Sequence, residues 1–174
     1  MKILIPFILI LFTVELSNLE KLLRKDITKT YKILDRDFNY DEEDKSICFF
    51  NNDTFKYYYN MPSYFIHISS DDNGIINSIT LYFNGLIDKN FYSSFNKDYG
   101  KPSSIQVIDT IETISQEKKV VGDFTQDLKK NFIQTREGSF NEQPLYIIWE
   151  KDSYNIRATF RHEQNISEIT FSVK

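Results

Sequence analysis

The segment Tyr154-Asn155-Ile156-Arg157-Ala158-Thr159-Phe160-Arg161, residues 154–161, decides the fold class. Tyr154, Ile156, Ala158 and Phe160 alternate with Asn155, Arg157, Thr159 and Arg161. Alternation of this kind gives an extended strand one dry face and one wet face. A helix would scatter the same apolar residues around its circumference. Glu163-Gln164-Asn165 supplies a turn, and Ile169, Phe171 and Val173 resume the alternation over 166–173. Upstream, 145–150 forms another strand, joined to 154–161 through Asp152-Ser153. Strands this close in sequence pair antiparallel, because a parallel pair needs a long crossover.

Further out, four more strand-like runs occupy 47–50, 55–59, 64–69 and 75–84. The breaks between them, Asn51-Asn52-Asp53, Asn60-Met61-Pro62 and Asp71-Asp72-Asn73-Gly74, are rich in turn formers. Asn73-Gly74 between two such runs is a hairpin signal. Between the two groups of strands lies a helix with Asp88 as its N-cap. Phe91, Tyr92, Phe95 and Tyr99 form its apolar face, Gly100 its C-terminal stop, and Pro102 prevents continuation. A strand follows at 105–111. Over 112–143, Phe124, Leu128 and Phe132 at four-residue steps predict a short helix capped by Asp123, and 136–144 an exposed loop.

At the other end, Ser17-Asn18-Leu19-Glu20 fits a capping box. Leu16, Leu19, Leu22, Leu23, Ile27, Tyr31 and Leu34 then recur at helical spacing, with Glu20 and Arg24 placed to pair on the wet side. The expected fold is therefore α+β, an antiparallel sheet packed by two main helices. Ser78-Ile79-Thr80-Leu81 echoes Glu168-Ile169-Thr170-Phe171, which suggests a duplicated helix–strands module with halves 18–85 and 86–174.

Met1-Lys2 precedes an apolar run over 3–14, the length of a signal-peptide core and too short to span a bilayer. Residues 1–17 are expected to be a signal peptide cleaved within 13–18, or an N-terminal anchor, leaving 18–174 as a single domain that is secreted or held in the periplasm or cell envelope. The single cysteine, Cys48, excludes an intramolecular disulfide and lies too far from the leader to be a lipidated first residue. Its apolar setting, Ser46-Ile47-Cys48-Phe49-Phe50, predicts a buried, inert thiol, with an intermolecular disulfide as the alternative.

The order helix–strands–helix–strands, with Tyr99-Gly100-Lys101-Pro102 closing a helix, a strand after it and Trp149 in the last meander, resembles the tandem modules of the β-lactamase inhibitor protein family. More loosely it resembles the small envelope-assembly lipoproteins of the BamE type. The paired cysteines of the first and the acylated cysteine of the second are both missing. The resemblance implies a fold and no site residues.

Composition narrows the function. The formal net charge of −4, with acidic and basic side chains interspersed, lacks the basic stripe of a nucleic-acid binder. No phosphate-loop, zinc-protease or nucleophile-elbow pattern occurs, and no cofactor is implied. His67 and His162 have no neighbour at metal-ligand spacing, and the run Asp41-Glu42-Glu43-Asp44 lacks the alternate spacing of a calcium loop, so no metal is expected. Nucleophilic chemistry by Cys48 would require a histidine, and His67 sits on a nearby strand. Asn52-Asp53-Thr54 and Asn165-Ile166-Ser167 match the glycosylation sequon.

Aromatic residues are abundant, with eleven Tyr and fifteen Phe, and Tyr57-Tyr58-Tyr59 is the densest cluster. Alternation sends Tyr58 to one strand face and Tyr57 and Tyr59 to the other. If one face is uncovered, its tyrosines suit contact with protein or glycan, because tyrosine offers large area and a polar tip. The expected function is a non-enzymatic module that binds another extracytoplasmic protein through Tyr57, Tyr58 or Tyr59. A small-ligand or lipid carrier is the alternative, and a hydrolase-type enzyme the third reading.

Overall fold

The computed structural model describes residues 18–28, 40–41, 43–50, 56–121 and 124–174, and the leader lies outside them. The described residues build one antiparallel sheet of ten strands. In chain order these are β1 (Tyr40–Asp41), β2 (Ser46–Phe50), β3 (Lys56–Tyr58), β4 (Met61–Ser70), β5 (Ile76–Phe83), β6 (Ser104–Val121), β7 (Phe124–Glu137), β8 (Tyr146–Glu150), β9 (Tyr154–Arg161) and β10 (Ile166–Val173). Across the sheet they run β1-β2-β4-β5-β10-β9-β8-β6-β7, with β3 paired to the far end of β4. The closing meander is as its alternation requires, and β10 sits at the centre between β5 and β9. The two echoed segments prove to be partners. Thr80 faces Thr170 across the β5–β10 ladder, their hydroxyls 3.0 Å apart, with Leu81 opposite Ile169 and Ile79 opposite Phe171.

The helix α1 (Lys89–Tyr99) covers one face of this sheet. Its start is fixed by the Asp88 carboxylate, which accepts the Phe91 N–H at 2.7 Å. Its end is fixed by Gly100 at φ 76°, a conformation that costs a residue without Cβ little. Phe91, Phe95 and Tyr99 are buried against Ile79, Leu81, Phe83, Ile156, Ile169, Phe171 and Trp149. The Trp149 indole N–H donates to Asn96 Oδ1 at 3.0 Å and to the Gly100 carbonyl at 3.1 Å, so the one tryptophan ties β8 to the end of the helix.

Two expected elements are corrected. Where two main helices were expected to pack the sheet, the described residues hold one α-helix and a far larger share of strand. The helix expected from Leu16 to Leu34 fails over 19–26, and only Ile27 and Thr28 of its described part are α-helical. Leu19–Leu22 form a 3₁₀ turn, Leu23 is extended, and Arg24 lies in the left-handed region at φ 63°. Tertiary pairing wins over local periodicity there. The Arg24 N–H donates to the Ile76 carbonyl at 2.8 Å, Ile76 N–H to Lys25 at 2.9 Å, and Ile27 N–H to Gly74 at 2.8 Å. Leu19, Leu22, Leu23 and Ile27 are nevertheless all buried, so the apolar stripe survives although 19–26 is not an α-helix. Glu20 accepts the Tyr99 hydroxyl at 2.8 Å instead of pairing with Arg24, whose guanidinium donates to the Ser153 carbonyl at 3.3 Å. Ser17, Tyr31 and Leu34 lie outside the described residues.

The second correction concerns Phe124, Leu128 and Phe132. They belong to strand β7, and no helix forms there. β6 and β7 pair continuously from Gln106 opposite Glu137 to Val121 opposite Phe124, whereas β6 touches β8 only over Ser104, Ile105 and Gln106. Beyond that point the two strands leave the sheet as a two-stranded arm. Four-residue spacing is a multiple of two as well as an approximation to 3.6, so it fits a strand face as well as a helix face.

Candidate functional site

The arm is where the described residues expose apolar surface. Tyr64, Ile108, Ile111, Ile114, Phe132 and Ile133 are the exposed large hydrophobic side chains among them, and five of those six lie on β6 and β7. Ile111 and Ile114 are more than half exposed, at 56% and 59%. Such residues usually turn inward, and a cluster of them outside the core makes the arm a candidate contact surface.

The ladder register assigns the faces. Ile111 is opposite Ile133, and Ile108 is opposite Thr135, two residues further along β7. These four therefore share a face, which continues through Gln106 and Glu137 into the side of the sheet away from α1. Phe132 faces Glu112 on the reverse side. β7 is regular, while β6 carries an extra residue at Asp109 and another at Ile114, where the register shifts. Bulges of this type raise local twist and bend the bulged strand.

A polar clasp sets the root of the arm. The Glu137 carboxylate accepts Ser104 Oγ at 2.8 Å, Gln106 Nε2 at 2.7 Å and the Ile105 N–H at 3.2 Å. Arg136 donates to Glu142 at 2.8 Å and stands 3.5 Å from Asp109. Glu142 also accepts from Ser139 N–H and Oγ, capping the 3₁₀ turn Phe140–Glu142. Hydrogen bonds from Ser104 and from Arg136, respectively, hold Glu137 and Glu142 below the ordinary carboxylate range. Val107 is buried at this root and lies so close to Gly138 that a Cβ there would meet its methyls at 2.7 and 2.8 Å. Only glycine admits so close an approach of Val107 without a shift.

Of the three tyrosines singled out by sequence, Tyr58 lies in the core, 1% exposed. Its hydroxyl is 3.3 Å from that of Tyr99, and burial pushes it far above the ordinary phenol range. Tyr59 is half-buried on Phe91 and Phe95 and donates to Asp98. It does not follow the strand alternation, because Tyr59 and Asn60 both take positive φ, 48° and 64°, in the tight β3–β4 turn. Tyr57 stays on the opposite side, half-buried and opposite Pro62. The structure thus divides the cluster between core, helix packing and edge.

On the sheet face away from α1, Cys48, His67, Thr80, Thr170, Arg157 and Ile148 are successive ladder partners, a row polar up to Ile148. Cys48 is exposed there, not buried, since it is Ile47 that alternation sends to the core. It does stand opposite His67, and partial desolvation, aided by Asp41 and Asp44, holds its thiol above the ordinary range. His162 is elsewhere, bonded to the Pro144 carbonyl at 2.8 Å. β5 and β10 separate β4, which carries His67, from β9, which ends just before His162, by about 14 Å at ordinary strand spacing. Among the described residues no group of three or more His, Cys, Asp or Glu is placed to hold a metal ion, and no helix is long and apolar enough to cross a membrane.

Compared with protein-family models, curated proteins and solved structures, the chain matches none. The arm residues escaped the sequence reading, although a signal was present. Two β-rich runs flank Gly122-Asp123, a dipeptide suited to a two-residue hairpin loop.

Proposed function

We propose that the chain is an exported, non-enzymatic protein-binding module that engages its partner through the β6–β7 arm. One observation carries this reading: five of the six exposed large hydrophobic side chains of the described residues stand on the arm. Burying them on a partner is favourable by about 25 cal/mol per Å² of apolar area removed from water. The body argues the same way from the other side. The space between α1 and the sheet, where a small-ligand carrier keeps its cavity, is packed with the rings of Tyr58, Phe83, Phe91, Phe95, Trp149 and Phe171, at centroid separations of 4.8 to 6.4 Å between neighbours.

The test is differential capture. Tagged protein and an Ile111→Asp, Ile133→Asp double variant are used as bait under identical conditions. The wild type retains a stoichiometric protein partner and the variant loses it. Equal retention by both would remove the arm as the binding site.

A further inference from the structure

We infer that the partner of the arm is the arm of a second copy, packed face to face about a two-fold axis through the Ile111–Ile133 pair. The inference rests on the binding-module reading and names its partner. In a two-fold contact the same patch meets itself, so residue i contacts j and j contacts i. The face bearing Ile133 has the pattern such a contact needs.

From root to tip, the successive cross-strand pairs on this face are Gln106 with Glu137, Ile108 with Thr135, Ile111 with Ile133, Thr113 with Asn131, and Gln116 with Lys129. The central pair is wholly apolar. The flanking pairs each hold a threonine, and the outermost pairs each hold one glutamine. Their remaining members are opposite in charge: Glu137 towards the root, Lys129 towards the tip. Each lies four residues from Ile133 along the regular strand β7, about 13 Å at the rise of an extended chain. A two-fold axis at Ile133 therefore sets Lys129 of each copy over Glu137 of the other, while the isoleucines close the centre. Glu137 is suited to this, because its clasp at the root fixes the carboxylate and keeps it ionised. Lys129 is exposed. The reverse face, with Phe132 opposite Glu112 and Arg136 bonded to Glu142, has no such symmetry about its centre.

Sedimentation velocity over a range of concentrations, combined with targeted crosslinking, tests this. The wild type shows a reversible monomer–dimer equilibrium. Ile133→Asp is monomeric throughout, and Lys129→Glu weakens the dimer roughly tenfold, a difference that shrinks in high salt as exposed ion pairs are screened. In a Cys48→Ser background, Ile133→Cys forms a covalent dimer with mild oxidant, whereas Thr110→Cys, on the reverse face, does not. A wild type that stays monomeric at every concentration overturns the inference, as does a dimer that survives Ile133→Asp or crosslinks through Thr110→Cys. If the wild type is monomeric and yet captures a different protein through the arm, the second-copy inference alone fails. If the Ile111 and Ile133 variants keep every association, the binding-module reading fails as well.

Discussion

The body of the sheet and its arm are written in the same alternating code and meet opposite fates. In β9 the dry side chains Ile156, Ala158 and Phe160 are 0 to 3% exposed, because α1 and the neighbouring strands close over them. In the arm, Ile111 and Ile133 occupy equivalent alternate positions and remain about half exposed, since nothing in the described chain covers them. Alternation specifies a strand and its two faces. Whether the dry face is buried depends on another element, and for the arm none of the described elements supplies that cover.

The comparison can be broken at several levels. The largest effect is expected from deleting 166–174. This removes β10, the ladder partner of both β5 and β9, and should abolish cooperative unfolding altogether. A truncated chain that still melts at the same temperature would show that the centre of the body has been misplaced. Next comes Phe95→Ala. Phe95 is 0% exposed and packs on Tyr58, Tyr99 and Trp149, so denaturant titration should show a loss of about 3–5 kcal/mol.

The body should also be sensitive to alkali. Burial raises the hydroxyls of Tyr58, Tyr59 and Tyr99 above the ordinary phenol range. A raised folded value means that their contribution is complete below pH of about 10 and is lost as the pH climbs through the folded values. Phenolate absorbance should therefore rise in two phases, the later one coinciding with unfolding. A single phase at the ordinary phenol range would contradict the buried cluster. The smallest effect on stability belongs to the arm itself: Ile111→Asp should change the unfolding free energy by less than about 0.5 kcal/mol, as exposed positions do. A larger loss would mean that the arm folds back onto the body.

Legibility followed the same division. The residues of α1 announced both ends of the helix, because Asp88 and Gly100 act through local backbone chemistry that sequence displays directly. The closing strands and the Asn73-Gly74 turn were equally plain, with Gly74 at φ 74° and the Asp71 carboxylate accepting the Asn73 and Ile75 N–H groups. The stretch 19–26 misled because its helical spacing is real, but the start of β5 takes up the backbone of Arg24 and Lys25 in hydrogen bonds that a helix would have used. The arm misled because 124, 128 and 132 satisfy two periods at once. Cys48 misled because an apolar neighbourhood in sequence includes both faces of a strand. The binding surface left the weakest trace, since exposure is a property of what lies opposite, and a sequence names residues without naming what covers them.

The claim that the arm is a binding device carried by a self-sufficient body is tested most directly by removing it. Residues 109–134 would be replaced by Asn-Gly, joining Ile108 to Thr135, which are already ladder partners. A cooperative thermal transition within a few degrees of wild type is expected, since a change of about 1 kcal/mol shifts a midpoint by only that much. Association in sedimentation and capture should be lost completely. A shortened protein that fails to fold, or one that folds and still associates, would contradict that claim.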